Sequence, residues 1–187
     1  MIGYVGRRIG TASLLCYNIT IMISNTPHAH SGGHAPESAQ AIQRRLGVAE
    51  DLCRRRGTRL TPIRRLVLET LLRRSTSLKA YELLDAIRDA QPGAAPPTVY
   101  RALDFLTEQG LIHRLDAINA WTACSDAGGE PHDLLVVCTR CGAVAELSDP
   151  GLSAQLAACV ARSGYALAGH ETELRALCAD CQAAARD

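Results

Sequence analysis

The sequence predicts an α+β protein in two parts: an N-terminal winged helix-turn-helix domain followed by a small α/β domain with a four-cysteine zinc site. Three observations predict it. From residue 38 to 110, apolar residues recur at helical spacing in four runs separated by capping residues, and two short alternating segments follow. Residues 38–120 carry 14 Lys+Arg and 9 Asp+Glu, a net of +5, whereas residues 121–187 carry 4 and 9, a net of −5. Two CxxC pairs, "VVCTRC" and "LCADC", lie in the acidic part. A basic unit that meets something anionic, joined to an acidic unit that does not, accounts for an overall charge of only +1.

The 187 residues suffice for one good core or two small ones. No run of about 20 apolar residues occurs, so no ordinary transmembrane helix is expected. Eight cysteines could signal a secreted disulfide scaffold, but CxxC pairing in an Arg-rich body favours thiolate–metal bonds in a reducing cytoplasm. Residues 1–37 read as a disordered tail. Arg7 and Arg8 precede a moderately apolar stretch, yet Asn18 and Thr20 interrupt it and no A-x-A site follows, which argues against a signal peptide. Met22 is the expected start, with residues 1–21 untranslated: the codons of residues 16–20 can be written TGTTATAATATAACA, an inverted repeat. His28, His30 and His34 lie in Gly/Ser/Pro-rich sequence and are expected to belong to the tail rather than to a metal site.

Ser38 caps a first helix through "AQAIQRRLGVAEDLCRRRG", closed by Gly57, with Ile42, Leu46, Val48, Ala49, Leu52 and Cys53 as its apolar stripe. Thr61 is the N-cap of a second helix, "LTPIRRLVLETLLRR", and Pro62 suits its first position. A third helix, "LKAYELLDAIRDA", stops before Gln91, Pro92 and Gly93. Pro96 and Pro97 open a fourth and Gly110 closes it. There Val99, Leu103 and Leu106 share one face, and Tyr100, Arg101 and Asp104 point elsewhere. "LIHRL" and "NAWTAC" form a two-stranded wing. In a winged helix the last helix enters the major groove with its N-terminal residues on base edges. Thr98, Tyr100 and Arg101 are therefore the expected DNA readers. Arg54, Arg55, Arg56, Arg59, Thr61, Arg64 and Arg65 are the expected phosphate-side residues.

In the acidic part, "DLLVVC" and "AVAEL" read as strands, "GLSAQLAACVARSG" as an amphipathic helix with Cys159 in its core face, and "YALAGHETELRALC" as containing a third strand. Cys138, Cys141, Cys178 and Cys181 can converge into a tetrahedral, closed and therefore structural zinc site. His113, Cys124, His132 and Glu146 remain as potential ligands, and they bracket the junction between the two parts. One thiolate, two imidazoles and one carboxylate suit Zn²⁺ better than an all-N/O set, which would suit Fe²⁺ or Mn²⁺.

The motifs "RLTPIRRLVLETL", "AYELLDAIRDAQPGAAPPTVYRALDFLTEQGLIHRL", "VVCTRCGAVAEL" and "LCADC" resemble the ferric uptake regulator superfamily, most of all its zinc uptake regulators, over residues 40–182. The resemblance implies a winged helix at 38–124, a hinge at 125–132 and a dimerisation and metal-binding domain at 133–187. It implies a structural zinc on Cys138, Cys141, Cys178 and Cys181, and a regulatory zinc on His113, Cys124, His132 and Glu146, two per monomer. It further implies a non-enzymatic, cytoplasmic homodimer that binds palindromic AT-rich double-stranded DNA, with two dimers per operator meeting near Asp85 and Arg88, and represses zinc-uptake genes. Iron-sensing relatives carry an "HHDH"-like run before the first CxxC. Here only "PHD" is present, which argues against iron, and a further metal site could draw only on His170 and Glu171. Sensors of iron, manganese, nickel or peroxide are the rival reading within the family. A zinc-buffering module is the rival outside it, and it should lack the basic recognition helix. A zinc deaminase would need an H-x-E upstream of P-C-x-x-C, and Val137 precedes Cys138 instead.

Overall fold

The computed structural model describes residues 37–74, 76–129, 132–168 and 171–185. The expectations for residues 1–36, including Met22 and the three tail histidines, and for His170 lie outside the described residues. Glu37, assigned above to the tail, forms an ion pair with Arg45 and so belongs with the first helix.

Helix α1 runs over Ala39–Arg55, and Ser38 Oγ accepts from Ala41 N at 3.2 Å, the N-cap its position promised. Gly57 ends it at φ +68, a left-handed turn that costs a residue without Cβ little. Ile42, Leu46, Ala49, Leu52 and Cys53 are buried, but Val48 is 47% exposed. The apolar stripe is therefore narrower than its spacing suggested. Helix α2 spans Pro62–Leu72, with Thr61 at the N-cap position but without a side-chain cap bond. Helix α3 covers Ala80–Arg88, and Glu82 accepts from Lys79 N at 2.7 Å. Helix α4 covers Pro96–Glu108; Val99, Leu103 and Leu106 are buried in the core that the four helices share.

The wing is β1 (Ile112–Leu115) antiparallel to β2 (Ala120–Ala123), with His113 opposite Thr122. Leu78 pairs with Trp121 on its far edge, which ties the wing to the start of α3. A second sheet has the order β4-β3-β5, from β3 (Leu134–Cys138), β4 (Val144–Leu147) and β5 (Thr172–Ala176). β3 is antiparallel to β4 and parallel to β5. Between them runs α5 (Pro150–Arg162), and α6 (Ala179–Ala183) follows β5. The sequence places an apolar face and a core cysteine on α5. In the single chain α5 buries none of its residues, and Cys159 is exposed. Periodicity identifies an apolar face but not what covers it.

The two parts meet along a seam. Leu115 of β1 is fully buried against Leu135 and Val137 of β3, with Ile118 and Val144 at the margin. Burying a leucine is worth roughly 1.5–3 kcal/mol. A second contact lies at Gly142, whose carbonyl accepts from Ser77 N at 3.2 Å and Ser77 Oγ at 2.9 Å. Gly142 has φ +73, and a Cβ there would come within 2.7 Å of Ser77 Oγ, so both backbone and space call for glycine.

Candidate metal centres and DNA-facing residues

The parallel register of β3 and β5 builds the first centre. Cys138 ends β3 opposite Ala176, so Cys178, two residues on, arrives beside it. Cys141 sits in the turn after β3, where Gly142 N donates to Cys138 O at 2.9 Å. Cys178 caps α6 and Cys181 lies within it. The four sulfurs lie within 4.8 Å of one another, with Cys141 and Cys178 at 3.6 Å. Tetrahedral Zn–S bonds of about 2.3 Å place sulfurs roughly 3.8 Å apart, so the cluster has the size of a zinc cage. At 3.6 Å the Cys141–Cys178 pair is far too long for a disulfide.

Electrostatics point the same way. Burial opposes ionisation of Cys138, but the backbone N–H groups of Cys178, Cys141 and Arg140 outweigh it and bring the thiol down to about 6. Burial, and the sulfurs of Cys178, Cys141 and Cys138, push Cys181 up to about 12. Four crowded thiols cannot all be anionic unless a cation sits among them. Zn²⁺ supplies that charge when bound.

The second centre collects residues from four segments. His113 comes from β1, Cys124 follows β2, His132 precedes β3 and Glu146 lies on β4. All four are buried. Ligand atoms of His113, Cys124 and Glu146 lie within 4.8 Å of one another. His132 Nε2 stands 2.9 Å from Glu146 Oε2, and His113 Nε2 stands 3.4 Å from the same oxygen. Neither buried Nε2 has a hydrogen-bond partner among the described residues, although the carboxylate is so near. Buried polar atoms are normally hydrogen-bonded, so two ring nitrogens without a hydrogen bond, both turned toward one carboxylate, suit a site that takes a cation. Burial opposes a proton on His113, yet Cys124, Glu146 and Glu171 around it raise the imidazole from 6.5 to about 12. Burial also works against the Glu146 carboxylate, but His113 and Ser125 outweigh it and hold Glu146 below its ordinary range. This nest of negative groups attracts whatever cation is available. The residues fit tetrahedral zinc, as one thiolate, two imidazoles and one carboxylate.

Three further residues support this centre and were not anticipated as supports. Ser125 donates its N–H at 3.0 Å to both Glu146 oxygens and its hydroxyl at 2.8 Å to Oε2. Glu171 Oε1 lies 2.8 Å from His113 Nδ1, on the ring edge away from the centre. It therefore faces a ligand of the second centre instead of helping to form another. Glu173 reaches the wing turn. Glu171 stood out in the sequence only as a possible ligand of another site, Ser125 is merely next to a candidate cysteine, and Glu173 depends on the register of β5.

On the basic part, Tyr100 is 49% exposed, Arg101 is exposed and Thr98 is half-buried, all near the start of α4. Tyr100 meets the edge of Trp121 with ring centroids 6.3 Å apart, which joins α4 to the wing. Arg59 is exposed and Thr61 half-buried. Arg64 stacks on Phe105 at 3.4 Å and donates to Arg59 O, while Arg65 pairs with Glu50 and donates to Gln43. These two arginines are partly committed within the domain.

Residues 55–175 match the ferric uptake regulator family. The zinc uptake regulation protein of Escherichia coli (strain K12) is 41% identical over 140 residues, covering 74% of this chain and 82% of that protein. A ferric uptake regulation protein of Campylobacter jejuni is 28% identical over 132 residues, covering 70% and 83%. Among solved structures, a zinc uptake regulator complexed with zinc and DNA superposes with a TM-score of 0.70 at 37% identity, over 81% of this chain and 100% of that one. Holo XcZur superposes with a TM-score of 0.64 at 40% identity, over 74% and 96%. With the family's signature covering most of the chain, and both cysteine pairs and the winged helix in place, the protein belongs to the ferric uptake regulator family.

Proposed function

We propose that the protein is a zinc-responsive transcriptional repressor whose zinc-loaded homodimer binds palindromic AT-rich operators and blocks zinc-uptake genes. The carrying observation is the second centre: ligand atoms of His113, Cys124 and Glu146 within 4.8 Å of one another, with His132 Nε2 2.9 Å from Glu146, drawn from both sides of the seam. Its relatives named as zinc uptake regulators support the same reading. Cys138, Cys141, Cys178 and Cys181 hold a permanent zinc, and His113, Cys124, His132 and Glu146 hold the zinc that is sensed, giving two per monomer. Residues 38–124 bind DNA, 125–132 form the hinge and 133–187 form the dimer. The unburied α5 supports dimerisation, since an apolar helix left open in one chain is closed by a second. Arg101 reads a base edge, Tyr100 and Thr98 flank it, and Arg59 and Thr61 contact phosphates with Arg64 and Arg65 behind them. Among the described residues no helix is long and apolar enough to cross a membrane, which is compatible with a regulator acting in the cytoplasm.

Zinc shifts the domain arrangement only by binding one arrangement better than the other. A ligand set split across a seam does this by construction, because it is complete only when the two parts are apposed. The test is zinc per monomer beside DNA binding. The protein is dialysed against a moderate chelator and retitrated with Zn²⁺ or Fe²⁺, using duplexes selected from a random pool on the zinc-loaded form. One resistant zinc, and a second that restores binding where iron does not, is the expected result. A single zinc, no selectable duplex, or equal rescue by iron overturns the reading.

A further inference from the structure

Zinc alone does not hold the wing against the sheet. Along β1, His113 and Leu115 point to the same side and are buried, while Arg114 faces the other way, pairs with Asp116 at 2.9 Å and lies 5.9 Å from the Trp121 ring. One face of the wing is thus seated on the sheet, while the other, through Ile112 and Trp121, packs on the helical core and leaves Arg114 exposed. Two carboxylates from the β5 segment grip the seated side. Glu173 accepts from Asp116 N at 2.8 Å with one oxygen and from Ala117 N at 3.0 Å with the other. Glu171 accepts from His113 Nδ1 at 2.8 Å. Between these two points Leu115 fills the gap against Leu135 and Val137.

We infer that Glu173 and Glu171 form a latch between the β5 strand and the wing, which closes the same seam as the second metal centre and sets how much zinc that centre needs. The inference rests on the function proposed above. Two successive N–H groups at the hairpin turn need an acceptor, and a bidentate carboxylate satisfies both with charge-assisted bonds. Glu173 can reach them only when the wing lies on the sheet. The ligands can gather only in that arrangement too, because His113 and Cys124 come from one side and His132 and Glu146 from the other. Two devices that require one arrangement are linked. Free energy contributed by the latch appears as tighter zinc binding at the seam, and its loss weakens zinc binding by the same factor. Glu171 plays a smaller part: with Nδ1–H directed to it, His113 keeps the Nε2 lone pair for metal. Both glutamates are positioning residues and neither is a ligand.

The test uses the full chain with its four-cysteine zinc retained, comparing wild type, Glu173→Ala and Glu173→Gln. Zinc at the seam is titrated against a chromophoric chelator, and amide exchange is followed at Asp116 and Ala117. In the Ala variant the zinc concentration for half-saturation should rise about tenfold, and protection of the two amides should fall. The Gln variant retains an acceptor and should recover much of both. Wild-type zinc affinity in the Ala variant, or unchanged protection, overturns the latch. Should the Ala variant fail to fold, the wild type decides: the two amides must be better protected with seam zinc than without, and equal protection overturns the latch. If wild type takes up seam zinc and shows the latch but never binds DNA, the repressor reading fails and the latch stands.

Discussion

The two metal centres are built on opposite plans. The four cysteines lie at the end of β3 and its following turn and at the start of α6, set side by side by one parallel strand pair, with backbone N–H groups directed at Cys138. The second centre takes each ligand from a different segment, two on either side of the seam. A site made within one module is finished when that module folds. A site made between modules reports how they are placed. On the function proposed above, the difference teaches that ligand chemistry alone does not separate a structural metal from a sensed one; the origin of the ligands does.

The sharpest way to break this comparison is to remove one thiol from each centre. Cys138→Ser should cost the C-terminal part its fold, because a structural zinc site contributes its binding free energy directly to folding. Circular dichroism should show strand loss and self-association should vanish. Cys124→Ser should leave a folded protein with one tight zinc and abolish zinc-dependent DNA binding, read by gel shift. Equal behaviour of the two variants would erase the distinction.

Acidity separates the centres next, and the signs are opposite. His113 is raised from 6.5 to about 12, so in metal-free protein its contribution to the closed seam is fully present below pH 6.5 and is lost as pH climbs toward 12. At neutrality zinc must displace that proton. Its affinity at the seam should therefore rise at least tenfold per pH unit through the neutral range, with at least one proton released, as counted by calorimetry in buffers of different ionisation enthalpy. Cys138 is depressed from 9.0 to about 6, so its contribution is present above pH 9 and is lost as pH falls through 6. Mild acid should loosen the metal-free thiol cluster while the seam still holds its proton.

The smallest effect sharpens the picture of the seam. Ser125→Ala removes the hydroxyl at 2.8 Å from Glu146 but keeps the backbone donor. Such supports typically cost 10–100-fold in metal affinity, and the low end, roughly tenfold, is expected here. The four-cysteine zinc should be unaffected, as metal analysis after chelation would show.

What could be read in advance follows the same division. Ser38, Pro62, Pro96 and Gly110 mark helix ends through local backbone chemistry, and the structure places α1, α2 and α4 there. CxxC spacing is local as well, and needs only one strand pairing to become a cluster. Val48 and Cys159 were misread because amphipathic periodicity describes a face without its cover. Glu171 and Glu173 were not recognisable as wing contacts, since they lie 58 and 57 residues from their partners His113 and Asp116 and meet them only through tertiary register. His113, Cys124, His132 and Glu146 stood out by ligand type. That they share one buried centre became visible only with the wing seated on the sheet.

The parallel pairing of β3 with β5 also bears on how the protein is made. Its partners are separated by β4 and all of α5, so the pairing must await a long stretch of chain. Synthesis runs from the N-terminus, and domains tend to fold as units in that order. The four helices and the wing share a core that needs nothing beyond residue 121, apart from small contributions from Ala123 and Ala127. That part can condense on the ribosome while Cys138 and Cys141 wait as an open pair. The thiol cage closes only after Cys181 has emerged, so metal loading comes after the helices and the wing have condensed and goes together with the folding of the β3–β5 sheet.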